Sequence, residues 1–227
     1  MEFAEIIKGM RKKSEIIFLD FNQIPQNIED YKNIKLFFEE CIKKGINPKL
    51  PENRQKFNNI FINKSGKKFL IGRYLEDRKE MLKGSKIAED GRTYHLGIDI
   101  FSSDLEDIYS PEDGEIVRTG CEPGSHSYGN YIIIKHITKD KTWYSFLGHL
   151  SKDFPKLGKV SKGQKIARLG DWANNENGGW SRHLHYQILT QLPKENETPI
   201  GYTSKENLNL NKNLFPDPNT TLLLPNI

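Results

Sequence analysis

Six short strand-like runs, separated by joints rich in glycine, proline, aspartate and asparagine, govern what this chain can fold into. They are HLGIDIF (95–101), GEIVRTG (114–120), NYIIIKH (130–136), TWYSFLG (142–148), GQKIARLG (163–170) and HLHYQIL (183–189). The joints include SPEDG, EPGSHSYGN and NNENGG. Short strands at this spacing, broken by turn residues, argue for an antiparallel β-domain. No repeat of fixed period runs through them. The expected class is mainly β, an antiparallel β-sheet or β-sandwich with a small N-terminal α/β or helical appendage.

Three segments follow from this reading. Residues 1–68 form the appendage: Ile16 to Phe21 reads as a short buried strand. Asn27 then caps a helix in which Ile34, Phe37, Phe38 and Cys41 recur at helical spacing, with Gly45 past its end and Pro48 blocking continuation. Residues 69–192 carry the strand runs. Residues 193–227, rich in proline and asparagine, form a tail expected to pack along the domain, with a last apolar patch at Leu222 to Leu224.

Composition narrows the function classes. The 34 basic and 30 acidic residues leave a net charge of +4, and the lysines are spread along the chain rather than gathered in a stripe. That pattern solvates a surface, and nucleic acid is not an expected partner. No apolar run approaches the roughly 20 residues needed to span a bilayer. Two cysteines, Cys41 and Cys121, make neither a disulfide framework nor a CxxC knuckle. The N-terminus MEFAEIIKGMRKKSEIIFLDF lacks the order of a signal peptide, so the expected location is cytoplasmic, or the cell envelope if the substrate lies there.

Chemistry concentrates in two strands. In HLHYQIL, Leu184, Tyr186 and Ile188 alternate with His183, His185 and Gln187, which puts both imidazoles on one face. In YHLGIDIF, His95 and Asp99 likewise share a face. On a straight strand they stand about 13 Å apart at ~3.3 Å per residue, so one ion can join them only if the backbone bends. Gly97 sits midway, without a Cβ to resist that bend. A hydrolytic zinc site keeps three protein ligands and leaves one position open. His95, Asp99 and one imidazole of the His183/His185 pair supply such a set. No HExxH occurs, so another group must take the proton, and the second histidine of the pair is the nearest candidate. His149, between an apolar strand and a turn, suits a side chain reaching over a cleft, whereas His126 reads as a loop residue and His136 as a structural one.

The order HLGID, SYGNYIIIKH, GHLS, VSKGQKIARLG and HLHYQ resembles the lysostaphin-like, LytM-type family of zinc metallopeptidases over about residues 70–192. The resemblance implies a β-sheet groove holding one zinc ion and hydrolysis of peptide bonds in bacterial peptidoglycan. It implies His95, Asp99 and His185 as the metal ligands. It also implies His149 and His183 as non-ligand histidines that orient or deprotonate the attacking water and stabilise the oxyanion. Two positions depart from the family pattern. Trp180-Ser181-Arg182 stand where small residues with glycine or proline usually precede HxH, which predicts a bulkier or more basic groove wall. Leu147 stands where tyrosine is common, which bears on substrate preference. The groove is expected to be rimmed by EPGSHSYGN and NNENGGWSR.

The reading is a zinc-dependent metalloendopeptidase acting on a peptidoglycan peptide through a zinc-activated water. Its rivals are a module that binds wall glycopeptide without cutting it and a cytosolic zinc hydrolase acting on a small amide. A degenerate binder loses some of the five polar positions, and all five are present here. Oligomeric state is not encoded in any of these features.

Overall fold

A computed structural model of the chain describes residues 3–19, 43–45, 47, 50–139 and 141–225. The elements in chain order are β1 (Ile16–Leu19), α1 (Pro51–Ser65), β2 (Phe69–Gly72), α2 (Lys79–Leu82), α3 (Lys86–Glu89), β3 (Tyr94–His95), β4 (Ile98–Ser102) and β5 (Asp107–Tyr109). They continue with β6 (Gly114–Glu122), β7 (Gly129–Thr138), β8 (Lys141–Leu150), β9 (Gly158–Val160), β10 (Lys165–Arg168), β11 (His183–Leu189), β12 (Tyr202–Thr203), α4 (Leu208–Leu214) and α5 (Asn219–Leu222). The helix expected over Asn27 to Cys41 lies outside the described residues.

Alternation along the strand runs resolves into one eight-stranded sheet of order β1-β2-β4-β11-β8-β7-β6-β9. Its pairs are antiparallel except β1 with β2. The fold is mainly β, as expected, and takes the single-sheet form with two short ribbons, β10-β5 and β12-β3. HLGIDIF is not one strand. Its start pairs with β12 and its end with β2 and β11, so the chain changes sheets across Leu96-Gly97.

One face of the sheet buries Ile98, Ile100, Ile132, Ile134, Leu147, Leu184 and Tyr186 completely. Ile6, Ile7 and Met10 from the N-terminus, and Leu222 and Leu224 from the C-terminus, complete that core. Each such side chain contributes roughly 1.5–3 kcal/mol relative to exposure. The apolar side of HLHYQIL lies in this core, which turns its polar side to the opposite face. Leu147 is also in the core, paired in register with Tyr186, so its side chain does not line the groove.

Helix α1 has no counterpart in the sequence reading. Pro51 opens it, and Gly66 closes it in the left-handed region at φ 62°. Its inward side mixes Phe57, Phe61 and Ile62 with the buried amides of Asn53, Gln55 and Asn58, so its apolar periodicity is faint. Those amides dock it beside β11: Asn58 donates to Ser181 Oγ (3.1 Å), Gln55 donates to Ser102 O (3.2 Å), and Gln55 Oε1 accepts from Arg182 N (2.6 Å).

Candidate metal centre

Register sets the site. His185 on β11 lies opposite Asp99 on β4 and Gly148 on β8, and His183 lies opposite Phe101. The change of sheet at Gly97 folds His95 back toward Asp99. His95 Nε2 is 3.4 Å from Asp99 Oδ1, His185 Nδ1 is 3.0 Å from that same oxygen, and the two nitrogens are 3.1 Å apart. His95, Asp99 and His185 are all buried, and they are the one cluster of metal-type ligands among the described residues. Gly97 is required by close approach: a Cβ there meets His185 Cε1 at 2.5 Å, His185 Nε2 at 2.8 Å and Tyr186 O at 2.9 Å.

The outer hydrogen bonds decide which nitrogens carry protons. His95 Nδ1 donates to the carbonyl of Arg73 (3.3 Å). Gln187 donates its amide N–H to Ile200 O (3.1 Å), which turns Gln187 Oε1 to His185 Nε2 (3.0 Å), and that nitrogen must therefore donate. Burial, with Arg78 adding to it, lowers the His95 pKa well below its ordinary value against the opposing pull of Asp99, so the ring is neutral. The inner atoms are thus two nitrogen lone pairs and a carboxylate oxygen facing one another, an arrangement that a cation relieves. Their spacing suits zinc: tetrahedral ligands at about 2.0–2.1 Å from the ion stand roughly 3.3–3.4 Å apart. Imidazoles whose far nitrogens are held by carbonyl oxygens are typical of such sites.

Asp99 is held from behind by Arg78, whose Nη1 donates to Oδ2 at 2.6 Å. Burial alone raises the Asp99 pKa, but the polar surroundings outweigh it, with the Arg78 guanidinium at 2.6 Å the permanent charge among them, and the carboxyl is held well below the usual range.

His183 and His149 lie beside the triad, with ring centroids 4.2 Å apart. His183 Nδ1 donates to Ser181 O (2.8 Å) and His149 Nδ1 to Asn177 O (2.9 Å), which leaves Nε2 of each as an acceptor. Burial lowers both pKa values, His149 further because His183 and His185 add to it, while Asp99 opposes the shift at His183. His149 has φ 65°, a left-handed backbone that a non-glycine residue adopts at a cost of roughly 1–3 kcal/mol.

These side chains line a cleft of about 320 Å³. Glu122, His126, Ser127, Trp180 and Ser181 from the two expected rims are part of its lining. Its remaining walls come from segments the sequence reading left without chemistry: Arg54 and Asn58 on α1, Met81, Ile87 and Arg92 near the short helices, and Thr198 to Tyr202. His126, read as a loop residue, packs edge-on against Trp180 (4.9 Å) within the cleft. His136 is structural, bonded to Asp113 O (3.0 Å) and Ser145 Oγ (2.8 Å). Trp180 lines the cleft beside His183. Arg182 does not make the wall more basic, because Asp171 engages its guanidinium at 2.7 Å outside the cleft.

The β-sheet cleft presents two imidazole nitrogens and one carboxylate oxygen to a common point, flanked by two further imidazoles, and so forms a candidate metal site. Residues 93–200 match the model of Peptidase family M23. No curated protein matches the chain. Among solved structures, a zinc containing peptidase from Vibrio cholerae is 27% identical over 47% of this chain and 32% of its own, with a TM-score of 0.36. The catalytic domain of the antimicrobial peptidase lysostaphin from Staphylococcus simulans is 24% identical over 53% of this chain and 80% of its own, with a TM-score of 0.37. The chain thus spans about a third of the length of the first of these relatives, 32%. Among the described residues no helix is long and apolar enough to cross a membrane.

Proposed function

We propose that this chain is a zinc-dependent metallopeptidase that hydrolyses peptide bonds of bacterial peptidoglycan. The observation that carries the reading is the set of three lone-pair atoms, His95 Nε2, Asp99 Oδ1 and His185 Nδ1, held 3.0–3.4 Å apart with no proton between them. The match of residues 93–200 to a peptidase family supports the reaction class. The catalytic unit centres on residues 69–192, and the flanking segments belong to its fold: Ile6, Ile7, Met10, Leu222 and Leu224 complete its core, and Arg54, Asn58 and Thr198 to Tyr202 line its cleft.

His95, Asp99 and His185 would hold the ion, which when bound would supply Lewis acidity to a peptide carbonyl and lower the pKa of water at the site. His183 and His149 handle the proton. Each presents an unprotonated Nε2 to the cleft because its Nδ1–H is fixed by a backbone carbonyl. Asp99 Oδ1 lies 3.9 Å from His183 Nε2, which places that ring against the ligand set. The imidazolium formed then donates to the developing oxyanion or to the leaving nitrogen. Positioned groups of this kind contribute roughly 10²–10⁴-fold. Burial keeps both rings neutral beforehand.

The test is clearing of peptidoglycan in a gel. The metal-loaded protein is expected to clear it, a chelator to abolish clearing, and added zinc to restore it. Binding to the wall without clearing contradicts the peptidase and favours the non-cutting module. Cleavage confined to small amides contradicts the peptidoglycan assignment.

A further inference from the structure

We propose that Arg78 is the positioning residue of this metal centre: it holds Oδ2 of Asp99 so that Oδ1 alone is offered to the ion. This rests on the metal-site reading above and extends it to a residue outside the 93–200 segment that matches the family model.

Arg78 is 2% exposed. Its Nη1 donates to Asp99 Oδ2 at 2.6 Å and to the Tyr202 hydroxyl at 3.3 Å, and its Nε donates to Glu76 Oε2 at 3.1 Å. A guanidinium is placed in the interior only where planar, multiple hydrogen bonding compensates its lost hydration. Here the compensation comes from the carboxylate that faces the ion.

The backbone builds this placement into the site. Leu75 N donates to His95 O (2.7 Å), His95 N to Glu76 O (3.0 Å), and Arg78 N to Thr93 O (2.9 Å). The segment carrying Arg78 is therefore laced to the strand carrying His95, and one short ladder positions a ligand and the group that holds a second ligand. A carboxylate on zinc binds through one oxygen or two. With Oδ2 tied at 2.6 Å, Asp99 is confined to the one-oxygen mode, which leaves room for an open position on the ion.

Glu76 completes the charge balance. Asp99, Arg78 and Glu76 together carry one net negative charge, whereas Arg78 without Glu76 would cancel Asp99 and weaken attraction of a dication. The ion pairs at 2.6 Å and 3.1 Å, all within the interior, make the three a single buried chain.

The experiment compares wild type, Arg78→Lys and Asp99→Ala by zinc dissociation constant, from competition with a chromophoric chelator, and by the visible spectrum of the cobalt form. Unfolding curves of the metal-free proteins are recorded alongside. Lysine keeps the charge but is too short, and lacks the planar fork, to reach both carboxylates. Arg78→Lys is expected to weaken zinc binding about 10–100-fold, the range for outer partners of metal ligands. Its cobalt spectrum is expected to lose intensity as Asp99 binds through both oxygens. An unchanged dissociation constant and spectrum in folded Arg78→Lys, with only stability lowered, overturns the positioning role while leaving the metal site standing. Wild-type affinity in Asp99→Ala overturns the site itself and the proposal with it. If Arg78→Lys does not fold, the double variant Arg78→Met/Glu76→Gln removes the buried charges together and is read by the same two measurements.

Discussion

Gly97→Ala is expected to remove zinc binding and hydrolysis together. The new methyl falls 2.5 Å from His185 Cε1 and 2.8 Å from Nε2, and also 2.9 Å from the carbonyl of Tyr186. The carbonyl belongs to β11, whose pairing with β4 fixes His185 opposite Asp99, so it cannot retreat without breaking that register. The imidazole must move instead, and it also carries the hydrogen bond to Gln187 that sets its tautomer. Losing one of three ligands costs more than the 10–100-fold typical of an outer partner. Zinc content per chain should therefore fall from about one to near zero at micromolar metal. A Gly97→Ala protein with full zinc and wild-type turnover contradicts the packing described here.

His149→Ala is expected to separate chemistry from metal binding. His149 makes no direct contact with the three ligand atoms, and its Nδ1 is anchored to Asn177 O at 2.9 Å. Zinc stoichiometry should stay near one while kcat falls by about 10²–10⁴ with little change in KM, the range for a positioned proton-handling group. Alanine keeps the Cβ that makes the left-handed backbone at φ 65° costly and removes the buried donor to Asn177 O, so stability is expected to fall modestly. Unchanged kcat in a zinc-loaded His149→Ala protein sinks its catalytic assignment.

Much of the site was legible because period-two alternation is a strong signal when one face is apolar. HLHYQIL places Leu184, Tyr186 and Ile188 in the core and His183, His185 and Gln187 opposite, as its pattern requires. Gln187 shares that face, and its hydrogen bond to His185 was foreshadowed by spacing alone, though no role was read into it. The bend that His95 and Asp99 demand also appears, as a change of sheet at Gly97 rather than a bulge in one strand.

What was hidden depends on pairing between distant segments. Arg78 is one arginine among many until the ladder from Leu75 to Arg78 sets it behind Asp99. Helix α1 escapes periodicity because amides rather than apolar residues dock it, and Arg54 enters the cleft only through that docking. Leu147 was read as bearing on substrate preference because tyrosine is common at its position in the family the chain resembles, yet its side chain lies in the core opposite Tyr186. Arg182 was given to the groove wall for its charge, yet Asp171, eleven residues earlier, takes that charge elsewhere.

The most direct measurement is an anomalous-difference map of the protein crystallised with zinc, collected on both sides of the zinc absorption edge. A single peak within about 2.0–2.2 Å of His95 Nε2, Asp99 Oδ1 and His185 Nδ1 is the predicted result. The His183 and His149 rings should stand beside that peak without ligating it. A peak bound by His183 in place of His185, or no peak at these three atoms in protein that hydrolyses its substrate, contradicts the account.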